Sequence, residues 1–91
     1  MTIRYSRHPE LRLTALAGEG VVLHLGTRRY FTVSESGLVI LEALAAPCTK
    51  DELVAAVLAR YEVDPSRAAA SVESFLSRCR DADLLEEHEA P

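Results

Sequence analysis

GTRRYFTVSESGLVILEAL, residues 26–44, changes its period halfway along. Up to Val33 it alternates, so that Phe31 and Val33 fall on one face of an extended chain and Tyr30 and Thr32 on the other. From Ser34 onward the apolar residues crowd at helical spacing, with Leu38, Val39, Ile40, Leu41 and Leu44 surrounding most of the cylinder. Ser34 is a good N-cap because its hydroxyl can accept an orphan N–H of the first turn, and Val33 just before it is placed to staple against Leu38. The stretch predicts a strand that runs into a buried helix ending near Ala46, where Pro47 stops it.

Toward the N-terminus, Leu11 to Leu16 (LRLTAL) alternates, and Val21 to Leu25 (VVLHL) is rich in strand formers. Gly18-Glu19-Gly20 between them predicts a hairpin turn, and Gly26-Thr27 a second one leading into a third strand, Arg29 to Val33. Toward the C-terminus, Thr49 with Glu52 three residues on forms a capping box for a second helix with the stripe Leu53, Val54, Val57, Leu58 and Tyr61. Asp64-Pro65 opens a third helix to about Ala82, with Ala68, Val72, Phe75, Leu76 and Cys79 along one face. Leu84-Leu85 reads as a short docked segment. Residues 87–91 read as a frayed acidic tail, and 1–9 as a leading segment before a domain at 10–86. The predicted class is α+β, a three-stranded antiparallel sheet followed by three helices, as in a winged helix-turn-helix.

A chain of 91 residues with 48% hydrophobic side chains makes one domain with one core. It holds no apolar run of about 20 residues for a membrane span and no secretory signal, so the expected location is the cytoplasm, with no membrane partner. Cys48 and Cys79 read as small core residues of a reducing compartment. Residues 1–34 carry five arginines against two glutamates, a net of +3, while residues 35–91 carry five basic and twelve acidic groups, a net of −7. Nucleic-acid affinity needs a concentrated basic face, so no nucleic-acid partner is expected.

Catalytic chemistry is missing as well. A nucleophile needs a base and an orienting group beside it, and no local signature links such residues here. His8, His24 and His88 lie in the leading segment, a strand and the tail, and with the cysteines they fail every short-range metal spacing. His24 is expected to face solvent. The chain reads as neither an enzyme nor a metal or cofactor protein. What it does offer is a sheet edge: the third strand has no proline, and a peptide can add there as a further strand. Phe31 is expected in the core, and Tyr30 over an exposed groove.

In order, VVLHL (21–25), GTRRYFTV (26–33), SESGLVILEAL (34–44), TKDELVAAVLARYEV (49–63) and FLSRCRDADLL (75–85) resemble the PqqD-like proteins, recognition elements for ribosomally made and modified peptides. The resemblance spans about residues 10–86 and is strongest to the stand-alone proteins of lasso-peptide biosynthesis. Where the pyrroloquinoline-quinone branch has a Pro-Glu-Gly run, this chain has Leu25-Gly26-Thr27-Arg28, and Ser34 stands where asparagine is common. The resemblance implies a winged-helix-like fold that binds the leader segment of a precursor antiparallel to the third strand and works with a separate leader peptidase. Carried over by position, Arg29, Tyr30, Phe31, Thr32 and Val33 would pair with the leader, and Ala68, Val72, Phe75, Leu76 and Cys79 would form an apolar wall. Arg28, Arg29, Arg78 and Arg80 are expected to guide acidic leader residues. The alternatives are a peptide chaperone of quinone-cofactor synthesis and a winged-helix nucleic-acid-binding protein.

Overall fold

The computed structural model describes residues 2–90. Its elements run β1 (Thr2–Arg7), β2 (Leu11–Leu16), β3 (Glu19–His24), β4 (Arg29–Ser34), α1 (Glu35–Ala43), α2 (Lys50–Arg60), α3 (Pro65–Asp81) and β5 (Leu85–Ala90). The predicted core architecture is present: β2, β3 and β4 form an antiparallel sheet in that order, and three helices follow.

The first hairpin turns more tightly than expected. Its turn is Ala17-Gly18, both at positive φ (50° and 83°), while Glu19 and Gly20 already belong to β3. Gly20 instead serves packing: a Cβ there would sit 2.8 Å from Cγ2 of Val33 and 3.0 Å from Cδ1 of Leu38. Those two side chains are the expected staple, and Ser34 Oγ accepts the Gly37 N–H at 3.2 Å as the N-cap. Helix α1 ends at Ala43, three residues short of the expected Ala46, with Leu44 as its C-cap.

The capping box of α2 is complete, Glu52 N–H donating to Thr49 Oγ1 at 3.2 Å and Thr49 N–H to Glu52 Oε1 at 2.8 Å. Asp64 caps α3 by backbone position only; its carboxylate accepts the Ser66 hydroxyl at 2.9 Å. The core gathers Val22 and Leu11 from the sheet, Ile40, Leu41 and Leu44 from α1, Leu53 and Val57 from α2, and Val72, Leu76 and Cys79 from α3. Cys79 is therefore a core residue as predicted, whereas Cys48 is only partly buried, and both are free thiols.

The two ends of the chain depart from expectation. Within the described residues the expected tail is a strand: β1 and β5 pair antiparallel, from Thr2↔Ala90 to Arg7↔Leu85, as a second, two-stranded sheet, and Pro91 of that tail lies outside the described residues. The acidic side chains of β5 obscured this in the sequence, because their charge reads as solvated chain. In the fold Arg80 Nε meets Glu87 at 3.1 Å and Ser6 Oγ lies 2.8 Å from His88 Nε2. A bridge between Tyr5 and Cys48 ties β1 to the turn before α2.

His24 is a second correction. It is 2% exposed, not solvent-facing, because Gly20, Val22 and His24 alternate on the inner face of β3. Its ring lies 4.4 Å from that of His8, and its Nε2 is 3.4 Å from Asp83 Oδ2.

Candidate functional site

A two-residue turn makes Leu16 and Glu19 a hydrogen-bonded pair, and antiparallel pairs alternate between bonded and non-bonded. Glu19, Val21 and Leu23 therefore direct their N–H and C=O groups at β2, and Gly20, Val22 and His24 direct theirs at β4. Two bonds beyond the strands follow the same parity: Leu25 N–H donates to Glu10 C=O at 2.9 Å, and His24 C=O accepts Arg28 N–H at 2.8 Å. On β4 the inward-bonding residues are thus Arg29, Phe31 and Val33. Tyr30, Thr32 and Ser34 point their backbone groups away from the sheet, along an edge that no strand of the described residues pairs.

Side chains alternate across that same strand. Phe31 and Val33 are half-buried beneath the sheet, while Thr32 is exposed and Tyr30 is 73% exposed on the outer face beside Leu23. Arg28 takes φ 61° in the turn before the strand, and Arg28 and Arg29 are both exposed.

Helix α3 packs on α2 and β5 but barely meets β4. A groove of about 770 Å³ lies between the first turn of α1 and α3 and starts at Ser34, where β4 ends. The first turn of α1 (Glu35, Ser36, Gly37) forms one side, Tyr61 and Val63 close an end, and Arg67, Ser71, Ser74 and Arg78 line the wall on α3. Phe75 lies in its floor. A Cβ on Gly37 would be 2.9 Å from Phe75 Cε1 and 3.3 Å from Val33 Cβ, so the glycine is what allows the ring to lie against α1. Tyr61 donates its hydroxyl to Glu35 at 3.1 Å, and that bond together with burial raises the phenol above its ordinary pKa, burial being the larger cause.

Of the α3 residues expected to form an apolar wall, Ala68 and Phe75 line the groove; Val72, Leu76 and Cys79 are sealed in the core beneath it. Cys79 is held as a thiol, its pKa pushed up to about 11 by burial. Arg78 lines the groove with its guanidinium 5.8 Å from the Phe75 ring centre, whereas Arg80 is engaged with Glu87. Arg67, Ser71, Ser74, Gly37 and Tyr61 escaped the sequence reading. A signal existed for the first three: at spacings of four and three they share one helix face with Arg78, flanking the apolar stripe.

The fold also gathers His8, His24 and Asp83, whose potential ligand atoms lie within 4.8 Å of one another despite unpromising spacing in the sequence. Both rings accept a backbone N–H at Nδ1, from Glu10 at 3.1 Å and from Thr27 at 3.2 Å. A neutral ring so bonded keeps its proton on Nε2, which in His24 is buried without a hydrogen-bond partner among the described residues, 3.4 Å from Asp83 Oδ2. The three side chains bring β3 against the turn before β5.

No curated protein matches the chain. Two solved structures share its fold. One, described as TbiB1 in complex with the TbiA(beta) leader peptide, is 27% identical with a TM-score of 0.76, over 94% of this chain and 99% of that one. The other, lasso peptide synthetase B1 complexed with the leader peptide, is 13% identical with a TM-score of 0.73, over 90% and 96%. The family model of coenzyme PQQ synthesis protein D (PqqD) matches residues 19–85, from the start of β3 to the start of β5, and the chain belongs to that family.

Proposed function

We propose that this protein captures the leader segment of a ribosomally made precursor peptide, of the lasso class, by strand addition to β4, and delivers it to a partner leader peptidase without catalysing a reaction itself. The observation that carries the reading is the outward backbone edge of Tyr30, Thr32 and Ser34 running directly into the groove between α1 and α3. An extended peptide pairs its main chain with such an edge and places alternate side chains in the adjoining cavity. The likeness to two leader-peptide complexes over nearly the whole chain supports the same use here. Delivery follows from tethering: a bound leader raises the substrate's concentration at whatever enzyme holds this protein. The family match also supports a second reading, a peptide chaperone of quinone-cofactor synthesis, which would use the same edge for a different precursor.

Thr32→Pro tests the reading. Proline at an outward edge position removes a donor needed only by an added strand and leaves the β3–β4 ladder intact. Fluorescence anisotropy with a labelled leader from the precursor encoded beside the gene should show affinity reduced about tenfold or more, the worth of a lost hydrogen bond plus the ring's obstruction. Unchanged affinity with an unchanged melting temperature would remove strand addition at β4.

A further inference from the structure

The wall of the groove on α3 carries two guanidinium groups and no carboxylate. Arg67 and Arg78 are both exposed and both line the cavity, one near each end of the helix, with Ser71 and Ser74 between them. Eleven residues at about 1.5 Å each separate the two by roughly 16.5 Å along the helix, and eleven residues are close to three full turns, so the two side chains leave the same face. The ion pairs among the described residues are Arg4–Glu52, His24–Asp83, Lys50–Glu73 and Arg80–Glu87; neither Arg67 nor Arg78 takes part in one. The one carboxylate lining the groove, Glu35, lies across it and accepts the Tyr61 hydroxyl. Between the two arginines the floor is apolar, formed by Ala68, Phe75 and Ile40.

An extended peptide advances about 3.3 Å per residue, so roughly 16.5 Å corresponds to about five residues, and side chains on one face of it are an even number apart. We infer that the ligand is a peptide with two carboxylate side chains four or six residues apart, one for Arg67 and one for Arg78, enclosing an apolar side chain that sits over Phe75. This rests on the peptide-capture reading and adds to it the charge pattern the peptide must carry. The spacing distinguishes a matched leader from any acidic peptide, because a single carboxylate reaches one arginine only. Each exposed pair is weak alone, about two- to fivefold in affinity, and is screened by salt. Reversing a charge replaces attraction with repulsion and should cost about tenfold.

The test uses the full chain as wild type, Arg67→Glu, Arg78→Glu and, on the outer sheet face away from the groove, Arg12→Glu. Each is titrated into the labelled leader of the neighbouring precursor and into leader variants with single Asp or Glu residues changed to Lys. Circular dichroism melts confirm that each variant is folded. The inference predicts about tenfold loss for each groove variant at low salt, less at high salt, and no loss for Arg12→Glu. It further predicts that Arg67→Glu and Arg78→Glu are rescued by lysine at two different leader positions, four or six residues apart. Tight binding that ignores both reversals, or rescue of both by one position, would overturn the two-carboxylate pattern and leave peptide capture standing. Failure of the wild type to bind any form of the leader would remove both.

Discussion

Gly37 shows how much of the groove hangs on one missing methyl group. With Phe75 Cε1 2.9 Å from where a Cβ would stand, Gly37→Ala must push the ring off α1 and into the cavity. Overpacking of this kind costs about 1–3 kcal/mol, so the variant should melt earlier and also bind leader more weakly, whereas Ser77→Ala, exposed on α3 and outside the groove lining, should do neither. The cysteines give a second residue-scale prediction. Burial raises both thiols, Cys79 to about 11 and Cys48 by a smaller, mainly desolvation-driven shift to which Glu52 adds. Native protein treated with iodoacetamide at about pH 8 should be alkylated at Cys48 well before Cys79, and the difference should vanish in denaturant. Equal rates in the native protein would mean that α3 opens. At this scale the sequence was legible where a residue's role is local, as with Ser34 and Thr49. It failed for His24 and Gly37, whose roles are set by side chains arriving from distant segments.

At the scale of elements, caps and alternation were readable because they involve neighbours in the chain. The capping box of α2 illustrates the energetic consequence. Glu52 is held below the usual carboxylate range, first by the Thr49 backbone N–H and then by the Thr49 hydroxyl and Arg4. A lowered folded pKa means that the cap's contribution is present above the unfolded value of about 4.3 and is lost as pH falls through the folded one. The first turn of α2 should therefore fray below about pH 4, seen as a smaller protection factor for the Leu53 amide against its intrinsic exchange rate at the same pH. Thr49→Ala should cost about 1 kcal/mol at neutral pH and blunt that acid response. A response that survives the substitution would place its origin elsewhere. The β1–β5 pair escaped the sequence because Glu86, Glu87 and Glu89 carry a solvated signature. Strand pairing between the two ends of a chain leaves no local mark. Removing residues 86–91 should strip β1 of its partner and lower the melting temperature by roughly 5–10 °C, about 1–2 kcal/mol for a domain of this size.

Across the whole molecule, charge and topology are arranged around the open edge. Residues 1–34 are basic and residues 35–91 acidic, and the groove between α1 and α3 begins at Ser34, on that boundary, with Arg67 and Arg78 set into the acidic half. Among the described residues, no helix is long and apolar enough to cross a membrane. Strands β1 and β5 close on each other in a small sheet, while the outer edge of β4 is left unpaired among the described residues. The open edge was legible in the residues, whereas a cleft beside α3 was implied only by the family resemblance. The lining of the groove was not legible, because the stripe on α3 is used for the core and the groove takes the polar residues beside it. The central claim is that a leader peptide completes the sheet at β4. Hydrogen exchange followed by amide NMR tests it residue by residue, because the strand's two sets of amides begin in different states. Phe31 and Val33 should be protected in the free protein, and Tyr30 and Thr32 should become protected only when leader is added. Protection of Tyr30 and Thr32 that does not change at saturating leader would contradict the account.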